Sequence, residues 1–197
     1  MDAEEQPLIR AFVALAVSDG VRRALEAFES QARRIRVRVG WVKPGNLHVT
    51  LVFLGYVPAS AVPALASRLD ETARLFNPFD FETTGIGWFG GRRPRVIWAG
   101  VPPGSGSEAI VKVAGAVRAA VREAGYPDDG TEAFTPHVTV GRLRPGSNPD
   151  DLLEFLKSRH AETPFGLSHA GGLRLMRSDL GKEGTVYNVL HESAFDQ

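Results

Sequence analysis

The tetrad His48-Val49-Thr50-Leu51 returns in the second half of the chain as His137-Val138-Thr139-Val140. In an extended strand, alternate side chains share a face. His48 and Thr50 then point one way, and Leu47, Val49, Leu51 and Phe53 the other. The same parity joins His137 to Thr139 and turns Val138 and Val140 away. Two strands of this kind must each bury an apolar back and leave a His/Thr front open. One copy is weak evidence, because a lone histidine beside a threonine is usually a satisfied structural pair. Two copies in a near-repeat predict two lobes whose polar fronts line one cleft.

The segments around the tetrads support a near-repeat. Leu8–Val17 is an apolar, β-branched run that reads as a buried strand, followed by Ser18 as a helix cap. Val21, Leu25, Phe28 and Ala32 have helical spacing, and the helix runs out in the basic stretch Arg33–Arg38. Trp41–Gly45 reads as a turn, 47–55 as a strand, and a helix starts near Pro63. Strands over 79–89 and 95–101 flank a hairpin loop, and the glycine-rich 102–107 joins the halves. The second half offers an amphipathic helix over 108–124, stopped by Gly125, and a strand over 137–143. A short helix capped by Asn148 with Pro149 at its first position follows, then strands over 165–176 and 185–190. The expected architecture is α+β, one domain over 1–197.

Composition narrows the chemistry. The 23 basic and 23 acidic residues cancel, so no overall basic field grips long duplex nucleic acid. Local clusters remain at Arg92, Arg93 and Arg95 and at Arg142 and Arg144; a solvated surface is the plainer reading of both. With no cysteine there is no thiolate nucleophile, disulfide or cysteine-bound zinc. Met1–Gln6 is acidic and polar rather than a signal peptide, and no apolar run approaches the roughly 20 residues of a membrane span. These features point to a cytoplasmic protein. His160, His169 and His191 form no ligand set with the motif histidines, and no glycine-rich phosphate loop or nucleophile elbow occurs.

Two imidazoles facing one cleft suit acid–base chemistry near neutral pH. A neutral ring takes a proton from water and a charged one gives a proton to a leaving oxygen. The threonine hydroxyls can hydrogen-bond a phosphoryl oxygen that gains charge.

At these residues the sequence resembles the two-histidine (2H) phosphoesterase superfamily. The likeness is greatest to the bacterial and archaeal RNA 2′,3′-cyclic phosphodiesterases, long labelled LigT-like 2′–5′ RNA ligases. Trp41, Pro44, Asn46, Leu47, His48, Thr50, Leu51, Phe53, Leu54 and Gly55 are similar to the first motif, and Phe134, Pro136, His137, Thr139 and Arg142 to the second. Arg10–Ala14, Arg95–Trp98 and the set Ser178, Leu180, Tyr187 and Leu190 resemble the family's first strand, central hairpin and C-terminal pattern. The resemblance implies a bilobal α+β fold: two pseudo-symmetric, interleaved lobes with antiparallel sheets around a central cleft and helices outside. It implies hydrolysis of a terminal 2′,3′-cyclic phosphate to a 2′-phosphomonoester, with His48 as proton donor and His137 as acceptor and with no cofactor or metal. The substrates implied are RNA ends or nucleotides carrying that group, and the expected protein is a monomer without membrane or obligate protein partner. The residues themselves leave the division between acid and base open.

Thr50 and Thr139 are the first candidates for the phosphate. Arg142 is another, but its parity opposes that of His137, so it reaches the cleft only through a twist or bulge. Phe12 and Trp41 could stack on a base, although a strand aromatic is more often core. Arg10 could line the cleft. Joining of RNA ends through a 2′–5′ linkage is the reverse chemistry of the same histidines, and a non-catalytic RNA- or nucleotide-binding module is the third alternative.

Overall fold

The computed structural model describes residues 7–91, 93–126, 134–146, 148–181 and 184–196; Met1–Gln6 and Arg92 lie outside them. The strands are β1 (Leu8–Ala16), β2 (Val39–Trp41), β3 (His48–Pro58), β4 (Phe79–Phe89), β5 (Val96–Gly100), β6 (His137–Leu143), β7 (Pro164–Ala170), β8 (Gly172–Gly181) and β9 (Gly184–Ala194). The helices are α1 (Asp19–Ala32), α2 (Val62–Ala73), α3 (Ser105–Glu123) and α4 (Asp150–Arg159).

The strands form one antiparallel sheet in the order β7-β4-β5-β6-β3-β1-β8-β9, with β2 paired to β6. It consists of two half-sheets, β3-β1-β8-β9 and β6-β5-β4-β7, joined between β3 and β6 by the single pair Val49–Val138. Beyond Val138, β2 takes over that edge of β6, pairing Trp41 with Gly141, Gly40 with Arg142 and Val39 with Leu143. The sheet therefore splits where the two His-x-Thr strands meet. The half-sheets alternate along the chain: β4, which follows β3 and α2, joins the second, and β8, which follows α4 and β7, joins the first.

This crossing explains a departure from the sequence expectation. The run over 165–176 is two strands, β7 on β4 and β8 on β1, broken at Gly171 because the chain moves between half-sheets. Gly172 lies so near β9 that a Cβ there would sit 2.4 Å from the Ser193 carbonyl oxygen. Trp41 ends β2 instead of opening a turn, and Pro44–Asn46 is a 3₁₀ turn. The α4 helix starts one residue late, at Asp150, whose N–H donates to the Asn148 side chain at 3.1 Å.

The helices bury their apolar stripes against one face of the sheet. Ser18 caps α1 by accepting the Val21 N–H, and Val21, Leu25, Phe28 and Ala32 are buried. Leu65 and Leu69 of α2, Ile110, Val113, Val117 and Val121 of α3, and Leu152 and Leu156 of α4 complete the layer. Close packing leaves no room at Gly106 in the first turn of α3, where a Cβ would lie 2.7 Å from the Asp80 carbonyl oxygen and 2.8 Å from Phe81 Cα. Gly106→Ala is expected to cost about 1–3 kcal/mol of stability by overpacking, read as a lower melting temperature. Among the described residues the opposite face of the sheet carries no helix, and the cleft opens there. Among the described residues no helix is long and apolar enough to cross a membrane.

Candidate active site

Val49 and Val138 are fully buried, so the residues flanking this antiparallel pair face the other side. Around it His48 lies across from Thr139, and Thr50 across from His137. All four line one cavity of about 570 Å³, within the range of small-molecule sites. Every residue lining it comes from a strand or from a segment leading into one.

The histidines are held in the same way. His48 Nδ1–H donates to the Asn46 carbonyl at 2.6 Å, and His137 Nδ1–H to the Thr135 carbonyl at 2.8 Å. In each case the partner is two residues back, so the bend before each strand supplies it. A proton fixed on Nδ1 leaves Nε2 as the functional atom. The Thr50 hydroxyl donates to His48 Nε2 at 2.9 Å. Aromatic rings wall both imidazoles. Phe12 and Tyr187 lie 4.9 and 5.2 Å from His48, and Phe89 and Trp98 lie 4.9 and 6.4 Å from His137. The Trp98 indole lies where a Gly87 Cβ would be, so that glycine makes its slot.

This apolar lining governs the charge. Burial, reinforced by the nearby His137, lowers the His48 pKa from 6.5 to about 4 against the opposing pull of the Asn46 carbonyl. Burial also lowers that of His137, and the Arg142 cation pushes the same way. Both rings are thus neutral at pH 7 in the free protein. As pH falls below 6.5 the unfolded chain protonates at His48 first. Stability is therefore flat above that pH and declines towards pH 4 by about 3 kcal/mol from this group. Urea unfolding at pH 7 and 4.5 should show the decline in the wild type and a shallower one in His48→Gln.

Two bulges decide which other side chains enter. On β6, Trp98 pairs with Thr139 but Ile97 with Gly141, so Val140 is an extra residue. Parity flips there, and Arg142 joins His137 and Thr139 in the cavity. On β3, Val13 pairs with Val52 but Ala14 with Thr50, so Leu51 is the matching extra residue. Phe53 consequently faces the cavity, and the simple alternation that turned it away is corrected. Each tetrad ends in its bulge, and Phe53 and Arg142 occupy corresponding places after it.

The remaining candidates separate. Arg10 lines the cavity and is exposed. Phe12 is only 2% exposed, covered by His48, Phe53 and Tyr187, so it backs the imidazole and offers no open face to a base. Trp41 is not brought to the site; it packs edge-on against Phe28 on the core side, at 6.2 Å. Tyr187, Phe89, Phe53 and Phe134 are the open aromatics of the cavity, and strict strand parity had no means of finding them. The other histidines lie elsewhere. His169 Nδ1 and His191 Nε2 each donate to a carboxylate at 2.8 Å, Asp80 and Asp70 respectively, and His160 is buried against Phe28 and Phe155. The His191 hydrogen bond holds the Asp70 carboxyl below its ordinary range. Among the described residues no three His, Asp or Glu side chains gather as metal ligands.

The same architecture occurs in known proteins. The crystal structure of TT0787 from Thermus thermophilus superposes with a TM-score of 0.78 at 30% identity, over 95% of this chain and 98% of that one. E. coli LigT complexed with 3′-AMP gives 0.78 at 21% identity over 97% and 100% of the two chains, a likeness of fold. The RNA 2′,3′-cyclic phosphodiesterase of Archaeoglobus fulgidus is 31% identical over 183 residues, 92% of this chain and 98% of its own. That of Aquifex aeolicus is 28% identical over 186 residues, 94% and 96%. Residues 20–181, which hold both His-x-Thr strands and both bulges, match the family model, and the chain belongs to the 2′-5′ RNA ligase superfamily.

Proposed function

We propose that the protein is an RNA 2′,3′-cyclic phosphodiesterase that opens terminal cyclic phosphates to 2′-phosphomonoesters with His48 and His137 and no metal. The observation that carries this reading is the pair of imidazoles in one cavity, each anchored through Nδ1 to a backbone carbonyl. The names of the relatives from Archaeoglobus and Aquifex agree with it.

In this mechanism the neutral His137 Nε2 takes a proton from water as the water oxygen bonds to phosphorus. The P–O3′ bond breaks, and His48 Nε2–H gives its proton to the departing 3′ oxygen. Solvent exchange then moves the proton off His137 and restores the pair. His48 is neutral in the free protein, so its proton arrives with the substrate. One phosphate charge about 4 Å away is worth about 4 kcal/mol at an effective dielectric of 20, enough to bring the ring from about 4 into the neutral range. Protonation of Nε2 also releases the Thr50 hydroxyl proton, which with Thr139 can then serve the phosphoryl oxygens. Arg142 supplies the cation for the same oxygens.

Both histidines come from one chain into one cavity, which supports action as one domain and as a monomer. An RNA-end substrate supports action in the cytoplasm. The test is hydrolysis of a 2′,3′-cyclic mononucleotide and of a short RNA with a cyclic end, in EDTA. Formation of a 2′-phosphate is the expected result. Binding of the RNA without turnover would replace the proposal with a binding module, and joining of ends in preference to hydrolysis would replace it with a ligase.

A further inference from the structure

The ribbon formed by β2 and β6 carries the cleft face beyond the catalytic pair. Val42 and Arg142 both line the cavity. Gly40 lies opposite Arg142, and two residues further on each strand stand Arg38 and Arg144, whose backbones are joined by Arg144 N–H to Arg38 C=O at 2.9 Å. Side chains two apart share a face, so Arg38 and Arg144 sit on the outward extension of the cavity wall. Arg36 continues the line: Ile35, Val37 and Val39 pack against the core while Arg36 and Arg38 are exposed.

Two arginines directly across an antiparallel pair repel each other and weaken the pairing. Among the described residues no ion pair relieves them: Arg22, Arg33, Arg68, Arg174 and Arg177 are held by carboxylates, and Arg36, Arg38, Arg142 and Arg144 are not. Arg38 Nη2 instead donates to the Pro145 carbonyl at 3.0 Å, which holds the guanidinium at the end of the ribbon. In a chain with no net charge, four such arginines in a row from the cavity outward make a concentrated anion track.

We propose that Arg36, Arg38 and Arg144 bind the phosphodiester backbone of a single-stranded RNA on the 5′ side of its terminal cyclic phosphate. This rests on the proposed activity. A cyclic phosphate is the 3′ end of its strand, so every other phosphate lies 5′ of it and has to leave the cavity by one route. Arg142 at the cavity and Arg144 and Arg38 beyond it mark that route with charge. The protein therefore prefers oligonucleotides to mononucleotides.

The experiment compares wild type, Arg36→Gln, Arg38→Gln/Arg144→Gln and Arg144→Glu. Each is assayed with a cyclic mononucleotide and with a hexaribonucleotide ending in a cyclic phosphate, and fluorescence anisotropy measures binding of a labelled hexaribonucleotide with a 2′-phosphate end. The double variant should lose about tenfold or more in kcat/KM for the hexamer, with mononucleotide turnover within twofold of wild type. The slope of log affinity against log salt should shrink by about 1.4, the value for two lost phosphate contacts on single strands. Arg36→Gln, which lies outside both β2 and β6, should show a smaller loss of the same kind. Arg144→Glu places opposite charges across the pair; it should melt no lower than wild type and yet bind the hexamer more weakly, a combination no folding defect gives. Equal affinity and an unchanged salt slope in the double variant would overturn the track. Loss of turnover on both substrates in the wild type, with the arginine-dependent binding intact, would instead overturn the activity and leave the track standing.

Discussion

His48→Ala and His137→Ala should each lower kcat/KM for a 2′,3′-cyclic nucleotide by about 10³–10⁴-fold, and the double variant should be hardly worse than either single one. General acid and general base catalysis each contribute roughly 10²–10⁴-fold. In this cleft the two transfers serve one displacement, because both imidazoles face the same cavity. Removing one leaves the other without a partner step, so the effects do not add. The fall should appear in kcat, since Thr50, Thr139 and Arg142 remain to hold the phosphate. His48 is packed against Phe12 and Tyr187, so His48→Gln, which fills the space, belongs beside the alanine variant and melting curves beside the rates. A substrate with sulfur at the 3′ leaving position separates the roles. A thiolate leaves without an acid, so it should restore turnover in His48→Ala and not in His137→Ala. Rescue of His137→Ala alone would exchange the two roles, and losses below tenfold in both would remove the pair from the chemistry.

Much of this site was legible because a strand repeats every two residues. The parity that puts His48 with Thr50, and His137 with Thr139, holds in the structure, as does the burial of Val49 and Val138 behind them. The helices were readable for a similar reason: Val21, Leu25, Phe28 and Ala32 mark a stripe wide enough to bury. What escaped lies where pairing overrules period. Leu51 and Val140 are ordinary aliphatic residues, and nothing in their identity announces an extra residue in a strand. The partner strand decides it, and Phe53 and Arg142 are placed accordingly. The break at Gly171 is similar: 165–176 is locally one extended run, and only the crossing between half-sheets divides it. Trp41 shows the converse case, a residue in the motif's approach whose side chain belongs to the core.

The bulge at Val140 leads to the second large effect, on Arg142. Its guanidinium reaches the cavity only because that residue is extra, and a charge-assisted hydrogen bond of this kind is worth about 1.5–3 kcal/mol. Arg142→Ala should therefore lower kcat/KM by about 10–100-fold. Arg142→Lys should recover part of it, since an ammonium keeps the charge and loses the planar fork. A second readout distinguishes a residue at the phosphate from one that only braces the sheet. The Arg142 cation depresses the pKa of His137, and the base must be neutral to act. Without that cation His137 holds its proton to higher pH, so the limb of the kcat/KM profile that His137 sets should move upward in Arg142→Ala and stay near the wild-type position in Arg142→Lys. A rate loss with an unmoved limb in both variants would mean that Arg142 acts through the fold; no loss at all would mean that the bulge turns it into the cleft without giving it the phosphate.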